Sequence, residues 1–178
     1  MRKRYERRTK DEWLEIIRQI YVSPLTQKEW AGRHEVSLDS ISGWRTVLRR
    51  EGLLDDLLAP VELDMVPGSA ACAFLMEGRP DIRLVLEPAS PGLGTRSLLL
   101  RAWSCGAECN DGNLYIFADG HANRIRIFRW KGEQYVDTAI DLPSSSLKWP
   151  RLEEGRAVLC RKDLIKLVRL ILPCAAPL

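Results

Sequence analysis

Three groups of side chains in this chain of 178 residues have the types and spacing to do chemistry: cysteines, carboxylates and basic residues. Two of the five cysteines, Cys105 and Cys109, have zinc-type spacing, but the two histidines, His34 and His121, fall one in each half of the sequence. Free thiols in a reducing cytosol are therefore favoured over a metal site. The carboxylates show no spacing typical of a metal-dependent nuclease or integrase. Because nucleotide-binding and hydrolase motifs are also absent, the sequence predicts a non-catalytic protein without a metal or cofactor.

The basic residues are concentrated at the N-terminus. Residues 1–50 contain twelve lysines and arginines against seven acidic residues, whereas the net charge of the whole chain is only +3. Six of the first ten residues are basic, and such an arm can neutralise DNA phosphates and release counterions. A solvated tail without a partner is the alternative. The arm residues predicted to contact phosphate are Arg2, Lys3, Arg4, Arg7 and Arg8.

Three predicted helices follow the arm. Apolar residues at helical spacing predict the first helix over about 10–22. Thr26 and Glu29 form a capping box that begins the second helix. Ser37 caps the third helix, and Gly52 ends it.

The second and third helices have the residue pattern of a DNA-binding helix-turn-helix, in TQKEWAGRHEVSLDSISGWR. Trp30, Val36, Ile41 and Trp44 are placed to form a shared core, and the third helix would enter the major groove by its N-terminal part. The turn position that usually holds a glycine in the left-handed conformation is occupied by Glu35. A residue with a side chain costs roughly 1 kcal/mol in that conformation. A three-helix packing module without DNA contact is the alternative.

Two sets of DNA contacts follow from this geometry, because side chains at the start of the third helix would read base edges while basic side chains around it contact phosphates. The predicted base-reading surface consists of Leu38, Asp39, Ser40, Ser42, Gly43 and Arg45. The predicted phosphate contacts, in addition to the arm, are Lys28, Arg49 and Arg50.

The pattern changes after this N-terminal domain, which is predicted over 1–55. Residues 56–80 are rich in small and turn residues and are predicted to be a linker. Within residues 81–178, several runs alternate between apolar and polar residues as strands do. This range is predicted to form a small α+β domain built around an antiparallel meander. The amphipathic segment 161–172 predicts its terminal helix.

Residues 113–130 are predicted to form a hairpin that carries basic side chains. Strand alternation places Arg124 and Arg126 on one face and Ile125 and Ile127 on the other, and a basic two-stranded ribbon can lie in a DNA groove. A solvated outer face of a sheet is the alternative. Three tryptophans of this part are interpreted as core residues rather than base-stacking platforms: Trp103, Trp130 and Trp149. The predicted contacts of the ribbon are His121, Arg124, Arg126, Arg129 and Lys131.

Both parts resemble accessory proteins of the insertion sequence 66 family of bacterial transposons. The N-terminal part is similar to TnpA, the helix-turn-helix protein of that family, from RTKDEWLEIIRQ through LTQKEWAGRHEVSLDSISGWRTVLRREG. The later part is similar to TnpB in a G-x-LYIF strand, an N-R-I-x-I-x-x-W-x-G strand and an L-x-W-P segment, at Gly112–Phe117, Asn123–Gly132 and Leu147–Pro150. TnpB has the motif C-G-P-T-D-M-R-K-G after its first strand. This chain has EPASPGLGTRSLLLRAW at that place, and of the Arg-Lys pair in the motif it keeps only Arg96.

The resemblance implies a fusion of two proteins that serve a separate, larger transposase. The expected function is that of a non-catalytic accessory protein that binds double-stranded DNA, at transposon ends or at its own promoter, with that transposase as a partner and a homo-oligomer left open. The alternative is a stand-alone helix-turn-helix transcriptional regulator whose C-terminal domain binds another protein. No apolar run reaches the roughly 20 residues of a membrane span, and the basic start is not a signal peptide, so a cytoplasmic, nucleoid-associated protein is expected.

Overall fold

The computed structural model describes residues 8–74, 81–90, 92–108, 111–131, 134–142 and 147–175. Over these residues the protein is α+β, as predicted, with six helices and eight strands in one mixed sheet. The helices are α1 (Lys10–Val22), α2 (Gln27–Arg33), α3 (Leu38–Arg50), α4 (Asp55–Leu58), α5 (Thr95–Ser104) and α6 (Arg161–Ala175). The strands are β1 (Pro60–Met65), β2 (Ala71–Phe74), β3 (Ile82–Val85), β4 (Leu114–Ala118), β5 (Arg124–Lys131), β6 (Gln134–Asp141), β7 (Arg151–Glu153) and β8 (Arg156–Cys160). None of the described helices is both long enough and apolar enough to span a membrane.

Side-chain caps determine where the three N-terminal helices begin. The hydroxyl of Thr26 accepts a hydrogen bond from the amide of Glu29 at 3.2 Å, and the Glu29 carboxylate accepts one from the Thr26 amide at 2.8 Å. A second capping box, at Thr9 and Glu12, begins α1, and Ser37 caps α3. These bonds satisfy amides that have no partner inside the helix. The predicted bounds of the first helix and the predicted caps at Thr26 and Ser37 are confirmed.

Replacing Thr26 with alanine is expected to lower the free energy of unfolding by about 1 kcal/mol, because the Glu29 amide loses its acceptor. Hydrogen bonds from Thr26 also lower the pKa of Glu29. The contribution of Glu29 to stability is therefore present above the ordinary pKa of glutamate and is lost as the pH falls through the lowered value of the folded state. Urea titrations at neutral and acidic pH measure both effects. Thr46→Ala, an exposed threonine inside α3, is the matched control, and an equal effect of the two variants would contradict the capping box.

The sheet has the strand order β6-β5-β4-β3-β2-β1-β8-β7. All neighbouring strands are antiparallel except β3 and β4, which are parallel. The sheet is therefore mixed, and the prediction of an antiparallel sheet is wrong at this pair. The reason lies in the connection, because parallel strands cannot be joined by a tight turn and need a crossover segment, which includes α5.

Strands β1 and β2 lie inside residues 56–80, for which a linker was predicted. β1 pairs with β8 on one side and with β2 on the other, and β2 pairs with β3. The prediction of a linker is therefore wrong over 60–65 and 71–74. Ala71 and Cys72 are both completely buried, so β2 fits between its neighbours with small side chains and lacks the alternation of large apolar and polar residues that marks a half-exposed strand.

Both faces of the central strands are covered. On one face, Leu167 and Ile171 of α6 pack in a core with Ile116, Ile125 and other residues of the central strands. On the other face, Leu98 and Ala102 of α5 pack with aromatic side chains of the central strands: Tyr115, Phe117 and Phe128. All five residues of β4 are consequently buried.

Helix α6 also contacts the N-terminal helices. Ile165 packs against the separate hydrophobic core that α1, α2, α3 and α4 enclose. At the start of α6 the amide of Arg161 donates a hydrogen bond to the carbonyl of Ala59 at 3.0 Å. One helix thus joins the core of the sheet to the core of the N-terminal helices.

Candidate nucleic-acid interface

A compact core holds α2 and α3 together. Trp30 and Val36 are buried there and Ile41 is completely buried, as predicted for these three residues. Trp44 is only half-buried, and its ring stacks on that of Trp13 with centroids 5.8 Å apart. The orientation of α3 is therefore fixed by packing against both earlier helices.

The connection between α2 and α3 is tight and strained. Glu35 has φ of 52°, in the left-handed region where a side chain costs roughly 1 kcal/mol or more. The next residue, Val36, donates its amide to the carbonyl of Ala31 at 3.0 Å. This bond and the burial of Val36 offset the strain, so the turn keeps its conformation without a glycine.

One side of the first two turns of α3 faces solvent, opposite the buried Ile41. Leu38 is 42% exposed, and Asp39, Ser40 and Ser42 are also exposed. Gly43 has open space where a Cβ atom would stand. The amide and hydroxyl of Ser40 are both bonded to the capping hydroxyl of Ser37. Four predicted base-reading side chains thus lie together on one uncovered surface, called the α3 surface below and formed by Leu38, Asp39, Ser40 and Ser42.

Arg45 does not belong to the α3 surface. Its side chain is half-buried and donates to Oε1 of Gln27 at 3.1 Å, on the side of α3 that faces α2 and α6. Arg45 stands seven positions after Leu38, which is about two helical turns, but the long side chain follows the interhelical surface instead of the solvent face. The structure therefore separates Arg45 from the residues with which the sequence grouped it.

Several other predicted phosphate contacts surround the N-terminal helices. Lys28 and Arg50 are exposed, and Arg49 is exposed while donating to the Tyr21 hydroxyl at 3.0 Å. The guanidinium of Arg8 lies 5.6 Å from the centre of the Trp13 ring. The arm residues Arg2, Lys3, Arg4 and Arg7 lie outside the described residues.

The basic side chains of β5 do not form a ribbon. β5 pairs with β4 and with β6, so it is an inner strand and cannot enter a groove as part of a two-stranded ribbon. Successive residues of a strand point to opposite faces of the sheet. Arg129 therefore lies on the same face of β5 as Ile125, and Arg124 and Arg126 lie on the other face. His121 is exposed in the turn before β5, and the side chain of Lys131 is outside the described residues.

Arg126 is engaged inside the protein. Its guanidinium forms a two-contact ion pair with Asp137 of β6 and also donates to the carbonyl of Leu93 and the hydroxyl of Thr95. The two side chains of the pair are only 16% and 13% exposed. These partners occupy most of its donors, so the structure does not favour the predicted role of Arg126 as a DNA contact.

Arg124 is paired as well, but in solvent. Its Nε and Nη2 atoms lie 2.5 and 3.1 Å from the two carboxylate oxygens of Asp141. The hydrogen bond raises the pKa of Arg124 and lowers the pKa of Asp141. This pair holds the end of β6 against β5, where the sequence predicted a phosphate contact.

Several of the described carboxylates and cysteines make structural contacts or are buried. Asp111 accepts from the Tyr115 hydroxyl at 2.7 Å, whereas Asp119 accepts backbone amides at the turn before β5. Among the described residues no three histidine, cysteine, aspartate or glutamate side chains meet at a distance that fits a metal ion. Burial raises the pKa of Cys72 to about 12 and also raises that of Cys105, which disfavours the thiolate form of both.

The three tryptophans of the C-terminal part have different environments. Trp149 packs against the core of the sheet and donates its Nε1 to the carbonyl of Val85 at 2.9 Å. Trp130 makes edge contacts with Phe128 and Tyr135. Trp103 is 46% exposed on α5, so its interpretation as a core residue is wrong.

Two basic residues that were not among the predicted contacts lie near the N-terminal helices. Lys162 and Lys166 of α6 lie across a cleft from Arg45. Their spacing of four positions places them on one helix face. That spacing was visible in RKDLIKL, but nothing local in the sequence shows that α6 packs against α1.

Comparisons of the chain with protein-family models, with curated proteins and with solved structures find no match.

Proposed function

We propose that the protein binds double-stranded DNA, with the α3 surface placed in the major groove and the basic residues around it on the phosphates. The observation that carries the proposal is the exposure of the first two turns of α3, whose orientation is fixed by a buried core behind them. Polar and apolar side chains in such a position can make hydrogen bonds and methyl contacts to base edges.

The charges near this surface support the same proposal. Lys28, Arg49 and Arg50 are exposed on α2 and α3, and the positively charged arm precedes α1 in the sequence. Asp39 stands among the serines of the α3 surface and accepts hydrogen bonds only, which suits the amino group of cytosine. Phosphate contacts would provide most of the affinity, and the α3 surface would provide the sequence preference.

As the biological role, we propose a non-catalytic accessory protein of insertion-sequence transposition that works with a separate transposase. This rests on the resemblance to TnpA in the N-terminal helices and to TnpB in β4, β5 and the segment at Leu147–Pro150. In this role the C-terminal sheet serves the transposase or the assembled complex. The role has a genomic consequence, since the gene is then expected beside a large transposase gene and between inverted repeats.

A stand-alone transcriptional regulator is the second candidate. The observation that favours it is the exposure of Leu100 and Trp103, which lie three positions apart on α5 and are 55% and 46% exposed. Two large apolar side chains exposed on one helix can form part of a surface that contacts another protein. An orphan gene without an adjacent transposase would favour this candidate over the transposon role.

The DNA-binding proposal predicts that Arg50→Gln weakens the binding of every duplex alike and reduces the salt slope of the binding constant by about 1. Fluorescence anisotropy with labelled duplexes at two salt concentrations measures both values. Arg169→Gln, an equally exposed arginine on α6, is the matched control and is expected to leave both unchanged. Deleting residues 2–8 should weaken binding more strongly and flatten the slope further.

Asp39→Ala separates sequence reading from affinity in the same assay. Selection from a random duplex pool is expected to return a relaxed preference at one base pair, worth about 1–3 kcal/mol of discrimination. Unchanged selection by Asp39→Ala, together with equal binding by Arg50→Gln and the native protein, would refute the proposed interface.

A further inference from the structure

The described sheet ends in two edge strands that differ in length and in charge. At one end, β7 has three residues, and two of them, Arg151 and Glu153, are charged. At the other end, β6 has eight residues and pairs with β5 over its whole length, and no other described strand pairs with it. Short and charged edges resist the addition of another strand, whereas a long regular edge favours it. The side of β6 that faces away from β5, called the free edge below, is therefore the one open to a further strand.

The hydrogen bonds between β5 and β6 determine which backbone groups point to the free edge. The amide of Leu142 donates to the carbonyl of Asn123, and these two residues continue the register of the strand pair. Bonded and non-bonded residue pairs alternate along antiparallel strands, so the even-numbered residues of β6 bond to β5. The odd-numbered residues therefore direct their amides and carbonyls to the free edge: Tyr135, Asp137, Ala139 and Asp141.

The side chains of β6 do not protect the free edge. The strand contains neither proline nor lysine, which are common protections of an edge. Its two carboxylates are paired with arginines of β5, since Asp137 binds Arg126 in a largely buried pair and Asp141 binds Arg124 in solvent. On the face of the strand that carries Ile140 towards the core of α6, three side chains are half-buried and β-branched, a type that packs well between strands: Val136, Thr138 and Ile140.

We propose that two copies of this chain associate through β6, each strand pairing with the other in antiparallel orientation about a two-fold axis at Thr138. In this register the outward amides and carbonyls of the two copies meet. Val136 lies opposite Ile140 of the second copy, which buries branched side chains on one face. On the other face, Tyr135 lies opposite Asp141 of the second copy and places a phenol donor beside a carboxylate.

Charge and hydrogen bonding favour this register over its neighbours. An axis at Asp137 would place two carboxylates opposite each other, and an axis at Ala139 would place Asp137 opposite Asp141 of the second copy. Like charges directly opposite destabilise an antiparallel pair. An axis between two residues would set outward-pointing backbone groups against inward-pointing ones, and their hydrogen bonds would be lost. The axis at Thr138 avoids both, so the strand is complementary to itself, as a two-fold contact between identical chains requires.

Sedimentation equilibrium of the full chain without DNA is expected to show a reversible dimer. Ala139→Pro removes an outward amide that does not bond to β5, and proline is tolerated at such a position of an edge strand. The variant is expected to weaken dimerisation about a hundredfold, because the two-fold axis doubles the loss of a donor. Ala139→Ser keeps the amide and is the matched control, which should dimerise as the native protein does. A native chain that stays monomeric at every concentration, or a folded Ala139→Pro protein that dimerises normally, would overturn the proposal.

A cysteine at the axis tests the register itself. Thr138→Cys would place two thiols opposite each other in a non-hydrogen-bonded pair, with Cα atoms about 4.5 Å apart, which a disulfide can bridge. Mild oxidation is expected to give a linked dimer on a non-reducing gel, above the background of the native cysteines. Gln134→Cys, exposed on the same strand, would lie opposite Leu142 of the second copy and should not cross-link above that background. Failure of Thr138→Cys to cross-link contradicts the proposal, even if Ala139→Pro does not fold. Neither measurement needs DNA, so the result is independent of the proposed function.

Discussion

Replacing Arg126 with methionine is expected to lower the free energy of unfolding by about 3 kcal/mol. The variant leaves Asp137 largely buried without its cationic partner and also removes donors from the Leu93 carbonyl and the Thr95 hydroxyl. Burying an unpaired carboxylate is unfavourable because water no longer solvates it. Urea denaturation followed by circular dichroism measures the loss.

Three comparisons make this prediction specific to the ion pair. Arg124→Met removes the same charge two positions earlier, but its pair with Asp141 lies in solvent, so a much smaller loss is expected. The double variant Arg126→Met, Asp137→Leu should recover part of the stability, since no unpaired charge remains. The folded Arg126→Met protein should bind DNA as the native protein does. Equal losses for the Arg124 and Arg126 variants would show that the pair contributes nothing beyond a surface contact.

The second large effect is expected for Ile41→Ala, which should lower the free energy of unfolding by about 2–5 kcal/mol. Ile41 is completely buried in the core that contains Trp30 and Ile17, and truncation leaves a cavity there. Because this core fixes the orientation of α3, binding to DNA is expected to weaken together with stability. Urea denaturation and DNA anisotropy on the same sample measure the two losses.

Ser42→Ala is the matched control for Ile41→Ala. It changes the adjacent residue, whose side chain is exposed, and is expected to alter the free energy of unfolding by less than about 0.5 kcal/mol. If Ser42→Ala were as destabilising as Ile41→Ala, α3 would not have the orientation described above. A loss of DNA binding in Ser42→Ala with unchanged stability would support its place on the α3 surface.

The N-terminal helices were predictable because their signals are local. The capping box at Thr26, the cap at Ser37 and the helical spacing of the apolar residues all lie within a few positions of what they determine. The strained turn at Glu35 was also recognised from its place in the pattern. A conformation that is determined by neighbouring residues can be recognised from a single sequence.

The sheet was less predictable because its partners are distant in the chain. Strand β2 has only four residues, three of them small, and all three residues of β7 are exposed, so neither strand shows an alternation of apolar and polar side chains. The sequence placed Arg124 and Arg126 correctly on one side of β5. It could not show that the segment leading into α5 and strand β6 bring partners to Arg126. Nor could it show that α6 brings Lys166 towards Arg45.

The pairing of β1 with β8 has a consequence for the order in which the protein forms during synthesis. Pro60 faces Cys160, so the two strands are about 100 residues apart in sequence. The contacts that hold α1, α2 and α3 together lie mostly within the first 60 residues, whereas the pairing of β1 with β8 must wait for almost the entire chain. Until then one edge of β1 has unpaired backbone groups, and nascent chains that stall before residue 156 would expose it to other chains.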